Sequence, residues 1–319
     1  MHLSLSRLPR SWKDVDVTPL IKVKPVTTIA KHIRPISLTP ALPKLAENFV
    51  VSKYIDHALL ETIDSNQFGA IPNSSTLHAL ISMMRTWAQA TDGTSSPVRV
   101  VCLDYRKAFD LVDHGILAAK ILGLRIPRGI AGWVCDFLMD RRQRVKLSSN
   151  CFSKWGTIPS GVPQGTKLGR WLFILMISDL HPLGSDVWKY VDDTTLTVVV
   201  PRGGQSGMEV AVNAVEQWST IKKPQLNVDK CKELVIDFEK VKHHFDAVTV
   251  NSQEPERVDS VKLLGVTITN TLQWNCHVLD VIQKANKRIY FLIMITAFSL
   301  HRIMVNVLLI MINILFHRN

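Results

Sequence analysis

Three features of the sequence predict an α+β fold. Short β-rich runs and amphipathic helical stretches are interspersed along the whole chain. The β-rich runs pair as hairpins rather than alternating strictly with helices. The 319 residues are 46% hydrophobic, enough for a real core in one large domain or two to three subdomains. That content excludes an intrinsically disordered chain. The cysteines, Cys102, Cys135, Cys151, Cys231 and Cys276, are odd in number and show no zinc-ligand spacing. They read as reduced, mostly core thiols, excluding a disulfide scaffold or a zinc module. The N-terminus has no apolar h-region, so an intracellular protein, nuclear or cytoplasmic and not secreted, is expected.

Each element has its own signal. Residues 1–50 are punctuated by Pro9, Pro19, Pro25, Pro35, Pro40 and Pro43, which breaks helices and favours extended strands and loops. Residues 44–62 predict a helix with an apolar stripe of Leu45, Phe49, Val50, Tyr54, Ile55 and Leu59. Residues 75–91 predict a second, capped by Ser74 or Ser75. A strand is expected at 99–103, ending at Asp104, then helices within 113–122 and at about 128–139. The period of two at 144–148 predicts a strand with Arg142, Arg144 and Lys146 on one face. The Gly/Pro-rich loop SGVPQGT at 160–166 opens an apolar helix reaching about Leu180. Residues 187–200 predict a hairpin around Asp192 and Asp193. A helix at 207–221, strands at 233–238 and 261–269, and a helix at 278–292 complete the reading. Beyond it, the uncharged pieces 289–300 and 303–316 are split by His301 and Arg302. Each falls short of the roughly 20 residues of a membrane span. A buried helix or an atypical apolar tail over 293–319 is expected, with no stable membrane association.

The charge balance, 38 Lys+Arg against 27 Asp+Glu, is +11 and favours a polyanionic partner, nucleic acid first. The carboxylates carry more information. Asp104 ends an apolar β-run, and Asp192 and Asp193 sit together between two others. Adjacent aspartates repel unless something cationic is near. A pair of hard divalent cations supplies that charge, since Mg²⁺ accepts a few carboxylates plus waters and substrate phosphates. Such a pair activates an attacking hydroxyl and stabilises a leaving pyrophosphate. The bland alternative is a pair of solvent-facing turn aspartates.

The motifs around these residues decide between the two. In order the chain carries RPISL (34–38), QFG (67–69), LDYRKAFD (103–110), SGVPQGTKLG (160–169), KYVDD (189–193), LNVDKC (226–231) and LLGVTI (263–268). The set resembles the reverse transcriptase domain of non-LTR, LINE-like retrotransposons of the jockey and CR1 type, over about residues 12–292. The resemblance implies a right-hand polymerase fold with fingers, an antiparallel-sheet palm with a ferredoxin-like core, and an incomplete thumb. Fingers are expected at 1–98 with an inserted portion at about 114–155, palm at 99–270, and the start of a thumb at 271–292.

The resemblance also implies an RNA-directed DNA polymerase working on an RNA template, a DNA primer and dNTPs. Two Mg²⁺ ions, with Mn²⁺ as a substitute, are held by Asp104 and Asp192, with Asp193 the least direct ligand. Phe109 takes the place of the bulky residue that excludes a nucleotide 2′-OH, a steric selection against ribonucleotides. Gln164 and Gly165 belong to the loop that contacts the incoming nucleotide, and Tyr190 is assigned to the same substrate. Arg34 matches the arginine that clamps the triphosphate, a guanidinium fork suited to phosphate oxygens, with Lys24 a second candidate. Lys230 matches a lysine that protonates the leaving pyrophosphate. Leu264 and Gly265 match the segment supporting the primer 3′ end. Arg142, Arg144 and Lys146 suit template phosphates. Lys284, Lys287 and Arg288 share a helical face that meets duplex in the family's thumb. Arg170 replaces a proline usual in the family, and the likeness stops at Leu292. These departures suggest a truncated or frame-shifted copy with reduced activity. The competing functions are a non-catalytic nucleic-acid-binding remnant and an RNA-dependent RNA polymerase. The latter ordinarily carries Gly-Asp-Asp rather than Tyr-Val-Asp-Asp and lacks a bulky gate.

Overall fold

The computed structural model describes residues 7–22, 24–93 and 96–316, and they form two compact units, Met1–Val258 and Asp259–Asn319. The first begins with α1 (Arg10–Lys13), β1 (Asp14–Ile21), α2 (Ile29–His32) and β2 (Ile33–Leu38). The proline-dense start is therefore only partly extended: β1 and β2 alternate with two four-residue helices, and residues 41–50, Pro43 included, are helical. β1 pairs antiparallel with β2 and parallel with β5 (Arg142–Ser148), where the short β6 (Cys151–Phe152) and β7 (Gly156–Thr157) also attach.

The first long helix departs from its predicted phase. It runs as α3 (Ala41–Val50), a π-turn (Val51–Ile55) and α4 (Asp56–Leu60). A π-turn inserts one residue into the helical repeat, rotating the apolar stripe. Val50, Ile55 and Leu59 are buried, whereas Leu45 and Phe49 of the predicted stripe are exposed. α5 (Thr76–Gly93) starts where predicted, and the Ser75 hydroxyl accepts from the His78 amide at 3.4 Å.

The central sheet has the order β12-β11-β3-β9-β8, built from β3 (Val98–Leu103), β8 (Asp186–Tyr190), β9 (Asp193–Val199), β11 (Lys232–Ile236) and β12 (Glu256–Arg257). All its pairings are antiparallel except β11 with β12. Alongside lie β4 (Tyr105–Arg106) and β10 (Gln225–Leu226), paired with each other. Around the sheet are α6 (His114–Leu122), α7 (Arg128–Leu138), α8 (Lys167–Ile177) and α9 (Met208–Lys222). α8 is apolar apart from Lys167 and Arg170 in its first turn, and Leu168, Gly169 and all seven residues of 171–177 are buried. Such a helix belongs at the centre of a core, and it packs with Trp133, Phe137, Leu117, Val187 and Leu196 in one cluster.

The second unit corrects two readings. The run 261–269 is two strands, β13 (Ser260–Leu263) and β14 (Val266–Thr269), rather than one. Leu264 (φ 47°) and Gly265 (φ 93°) form the turn between them, the paired left-handed geometry that matches strand twist. The helix expected at 278–292 is α10 (Asn275–Phe316). Its apolar residues Ile289, Tyr290, Phe291, Leu292, Ile293 and Ile295 are exposed rather than buried. Residues 317–319 of the expected tail lie outside the described residues. Among the described residues no helix is long and apolar enough to cross a membrane. All five cysteines are free, and Cys151 and Cys276 are exposed rather than core.

Candidate active site

The central sheet gathers the three predicted aspartates at one end. Leu103 pairs with Thr194, so the next positions on the two strands are Asp104 and Asp193. Asp192 occupies the two-residue turn between Tyr190, the half-buried last residue of β8, and Asp193. Val191, the other turn residue, has φ 60°. A β-branched residue there costs about 1–3 kcal/mol and persists only where its surroundings hold it.

Asp104 is the best-anchored of the three. Its carbonyl accepts from the Asn227 amide at 2.8 Å. Its Oδ2 accepts from Asn227 Nδ2 at 3.1 Å and from Lys230 Nζ at 3.2 Å. Lys230 is thus no free surface lysine, although its side chain is 63% exposed. Asp193 differs: burial, then the negative charges of Asp192 and Asp104, push its carboxyl up. The negative charge of its two neighbours thus bears on Asp193, while Lys230 offsets that of Asp104. Among the described residues no three His, Cys, Asp or Glu side chains form a ready-made metal cage.

The loop that follows Asp104 docks on the loop at 160–165. The Val162 amide donates to Phe109 O and the Gly161 amide to Val112 O, each at 2.7 Å. Ser160 Oγ donates to Asp110 O at 3.1 Å, and His114 Nε2 lies 2.7 Å from the Gly161 carbonyl. Gly161 adopts φ 92°, and a Cβ there would sit 2.7 Å from Asp110 O, so only glycine permits this seam. Phe109 is half-buried and stacks on the buried Phe173 with ring centroids 4.7 Å apart at 16°. One ring is thus both core and rim. Gln164 takes its position from β2, whose Ser37 amide donates to Gln164 O at 3.1 Å. Gly165 follows it, and the exposed Arg34 lies on the same strand as Ser37. Lys24 is exposed in the bend that follows β1.

Two groups went unassigned in the sequence. Asn227 lies inside LNVDKC, so a signal was present, although it did not point at Asp104. Glu47 gave none. It is 1% exposed, and its Oε2 accepts from the Leu168 amide at 3.2 Å, holding the start of α8. Burial pushes its carboxyl up against that hydrogen bond and the nearby Arg141 charge.

Arg142, Arg144 and Lys146 do share a face of β5, with two of them already paired. Arg142 donates to both Asp14 oxygens at 2.9 and 2.6 Å, and Arg144 to Asp16 Oδ1 at 2.7 Å. Their other sides meet rings: Arg142 lies over Trp155 and Arg144 over Phe152 and Trp155, at 5.4, 4.0 and 4.6 Å. In the second unit, Leu264 and Gly265 form the β13–β14 turn, and Lys284, Lys287 and Arg288 are exposed on α10.

Comparison with known proteins completes the description. The profile of the family described as "Reverse transcriptase (RNA-dependent DNA polymerase)" matches residues 21–268. The RNA-directed DNA polymerase from mobile element jockey of Drosophila melanogaster is 25% identical over 293 residues, 88% of this chain and 31% of that protein. The probable RNA-directed DNA polymerase from transposon X-element of the same fly is 24% identical over 290 residues, 87% of this chain and 31% of that protein. The chain thus spans about a third of the length of these relatives. Among solved structures, telomerase from Candida tropicalis, in complex with the TWJ fragment of telomeric RNA, aligns with a TM-score of 0.54 at 12% identity. The alignment covers 84% of this chain and 45% of the telomerase chain. That likeness is one of fold.

Proposed function

Since this chain belongs to the reverse transcriptase (RNA-dependent DNA polymerase) family, with a right-hand polymerase fold, we propose that it extends a DNA primer on an RNA template from dNTPs. The observation that supports this most directly is the gathering of Asp104, Asp192 and Asp193 at one end of the central sheet. Asp104 and Asp192 would hold two Mg²⁺ ions, or Mn²⁺ in their place, with Asp193 in support. When bound, such ions activate the primer 3′-hydroxyl and stabilise the leaving pyrophosphate.

The chain's own residues supply the rest. Asn227 fixes the Asp104 carboxylate. Lys230, beside Asp104, carries a proton to the leaving pyrophosphate. Arg34, with Lys24 as a second cation, grips the triphosphate, and Gln164, Gly165 and Tyr190 orient the nucleotide. Phe109, backed by Phe173, blocks a 2′-hydroxyl. Arg142, Arg144 and Lys146 contact template phosphates. Leu264, Gly265, Lys284, Lys287 and Arg288 contact primer and duplex. In this reading fingers occupy 1–98 and 114–155, palm 99–270, and the thumb begins at 271.

The test is extension of a primed RNA template by the purified chain with dNTPs and Mg²⁺. Extension by the wild type and its loss in Asp192→Ala are expected. Undiminished extension by Asp192→Ala sinks the assignment.

A further inference from the structure

The motif QFG at 67–69 has no part in the chemistry above, yet it lies against the turn that carries Asp192. β8 is an edge of the central sheet, and the segment 66–69 closes it. The Lys189 amide donates to Asn66 O at 2.9 Å, and the Phe68 amide donates to Lys189 O at 2.8 Å. Gln67 bridges Lys189 in parallel register. The segment is itself pinned. The Asn66 amide donates to Asp64 Oδ1 at 2.5 Å, and Asp64 Oδ2 pairs at 2.9 Å with the ammonium of the fully buried Lys189. Gln67, also buried, donates from Nε2 to Gly69 O at 3.2 Å.

Gly69 makes the closest approach. A Cβ there would sit 2.6 Å from the Tyr190 carbonyl carbon, 2.8 Å from Val191 Cγ2, and against the Val191 amide nitrogen. Backbone thus lies flush on backbone, behind a turn whose Val191 holds an unfavourable φ of 60°. A two-residue turn with a β-branched residue in that region relaxes unless something outside it prevents the change. The strap at 66–69 is that constraint, and a side chain on Gly69 would displace the turn.

We infer that Gly69, held by Gln67 and the Asp64–Lys189 pair, is a positioning residue that fixes the Tyr-Val-Asp-Asp turn and the aim of Asp192. The inference rests on the reading that Asp192 serves the polymerase chemistry. Its first test does not. Amide hydrogen exchange of the full chain, read over residues 186–195, reports the turn directly. Gly69→Ala is expected to accelerate exchange there by about tenfold or more, with 98–103 unchanged. Gly207→Ala is the control, because a Cβ at that position meets nothing within 4 Å. Gln67→Leu loosens the strap without adding an atom beside the turn, and one lost hydrogen bond predicts a roughly threefold to tenfold acceleration. Unchanged exchange at 186–195 in both strap variants overturns the inference.

Primer extension then separates positioning from general destabilisation. An ångström of displacement at a reacting group costs about a hundredfold in rate. Gly69→Ala is therefore expected to lower kcat about a hundredfold with KM for dNTP within about twofold, and to raise the Mg²⁺ concentration giving half-maximal rate. A parallel loss in Gly207→Ala, or a change in KM alone, counts against the strap. Faster exchange in Gly69→Ala beside a wild type that extends no primer would support the strap and reject the polymerase reading.

Discussion

Asn227→Ala probes the anchoring of Asp104 with little collateral damage. The backbone bond from the Asn227 amide to Asp104 O, 2.8 Å, does not involve the side chain, and the neighbouring Leu226–Tyr105 pairing is untouched. Only the 3.1 Å bond from Nδ2 to Asp104 Oδ2 is lost. A hydrogen bond to a charged group contributes about 1.5–3 kcal/mol. The Asp104 side chain is 34% exposed, so water partly replaces the donor and the low end, about 1.5 kcal/mol, applies. That corresponds to about a tenfold fall in rate, read by single-turnover primer extension at saturating dNTP and Mg²⁺. Asn227→Asp keeps the shape and replaces the donor by a like charge. Repulsion of about 1–3 kcal/mol at partly screened dielectric adds roughly another tenfold. An Asn227→Ala chain within about twofold of wild type, or equal losses in the Ala and Asp variants, would refute this account of how Asp104 is held.

Phe109→Ala should raise ribonucleotide incorporation relative to dNTP, measured by competing rNTP and dNTP in extension; an unchanged ratio rejects the gate. Glu233 is 1% exposed and accepts from Arg99 Nε at 2.8 Å and Arg257 Nε at 2.9 Å, with Arg99 itself 3% exposed. Glu233→Leu should cost about 3–5 kcal/mol by stranding Arg99, whereas Arg99→Met with Glu233→Leu should recover most of it; equal urea midpoints for the two would contradict this. Asp179 is held down to about 2: burial opposes its charge, but hydrogen bonds from Lys120, Trp218 and Lys222 prevail. A depressed carboxyl stabilises the fold above its unfolded value near 4 and loses that contribution as pH falls toward 2. The stability gap between wild type and Asp179→Asn, from urea midpoints, should be constant above about pH 5 and shrink below about pH 4; a gap that widens on acidification has the wrong sign.

What was legible follows what is local. The hairpin around Asp192 and Asp193, the loop at 160–166 and the alternation of β5 are written in short-range patterns, and the structure contains all three. The π-turn at Val51–Ile55 is different. A 3.6-residue period read through it assigns Leu45 and Phe49 to the wrong face, because nothing in the run VSKYI marks one extra residue in the turn. The turn at Leu264 and Gly265 was missed because β-formers on both sides hide a two-residue reversal. At the site, residue types that carry the chemistry were visible, while those that aim it were not. Asn227, Glu47 and Gly69 act through a bond or a clearance to a distant segment; Asn227 and Gly69 fall inside the motifs LNVDKC and QFG, which do not name that target, and Glu47 has no signature at all.

The same distinction governs the basic stripe. Spacing places Arg142, Arg144 and Lys146 on one face of β5, but it says nothing of the strand alongside. β1 runs parallel to β5 with Asp14 opposite Arg142 and Asp16 opposite Arg144. The Arg142 hydrogen bond, more than any other influence, holds the Asp14 carboxyl low, so this pair stays ionised near neutral pH. Two of the three cations thus arrive with a carboxylate on one edge and an aromatic face on the other. Lys146 has Phe152 beneath it at 5.8 Å and no carboxylate within ion-pair reach among the described residues. A phosphate meeting this face must compete with Asp14 and Asp16 for the guanidinium donors. What the arginines offer a polyanion is therefore fixed orientation more than unpaired charge, since a guanidinium held in plane has already lost most of its rotamer freedom. The chain's net +11 is accordingly a poor guide to this face. The proline-broken segment at the N-terminus, which reads as little more than extended, sets its electrostatics.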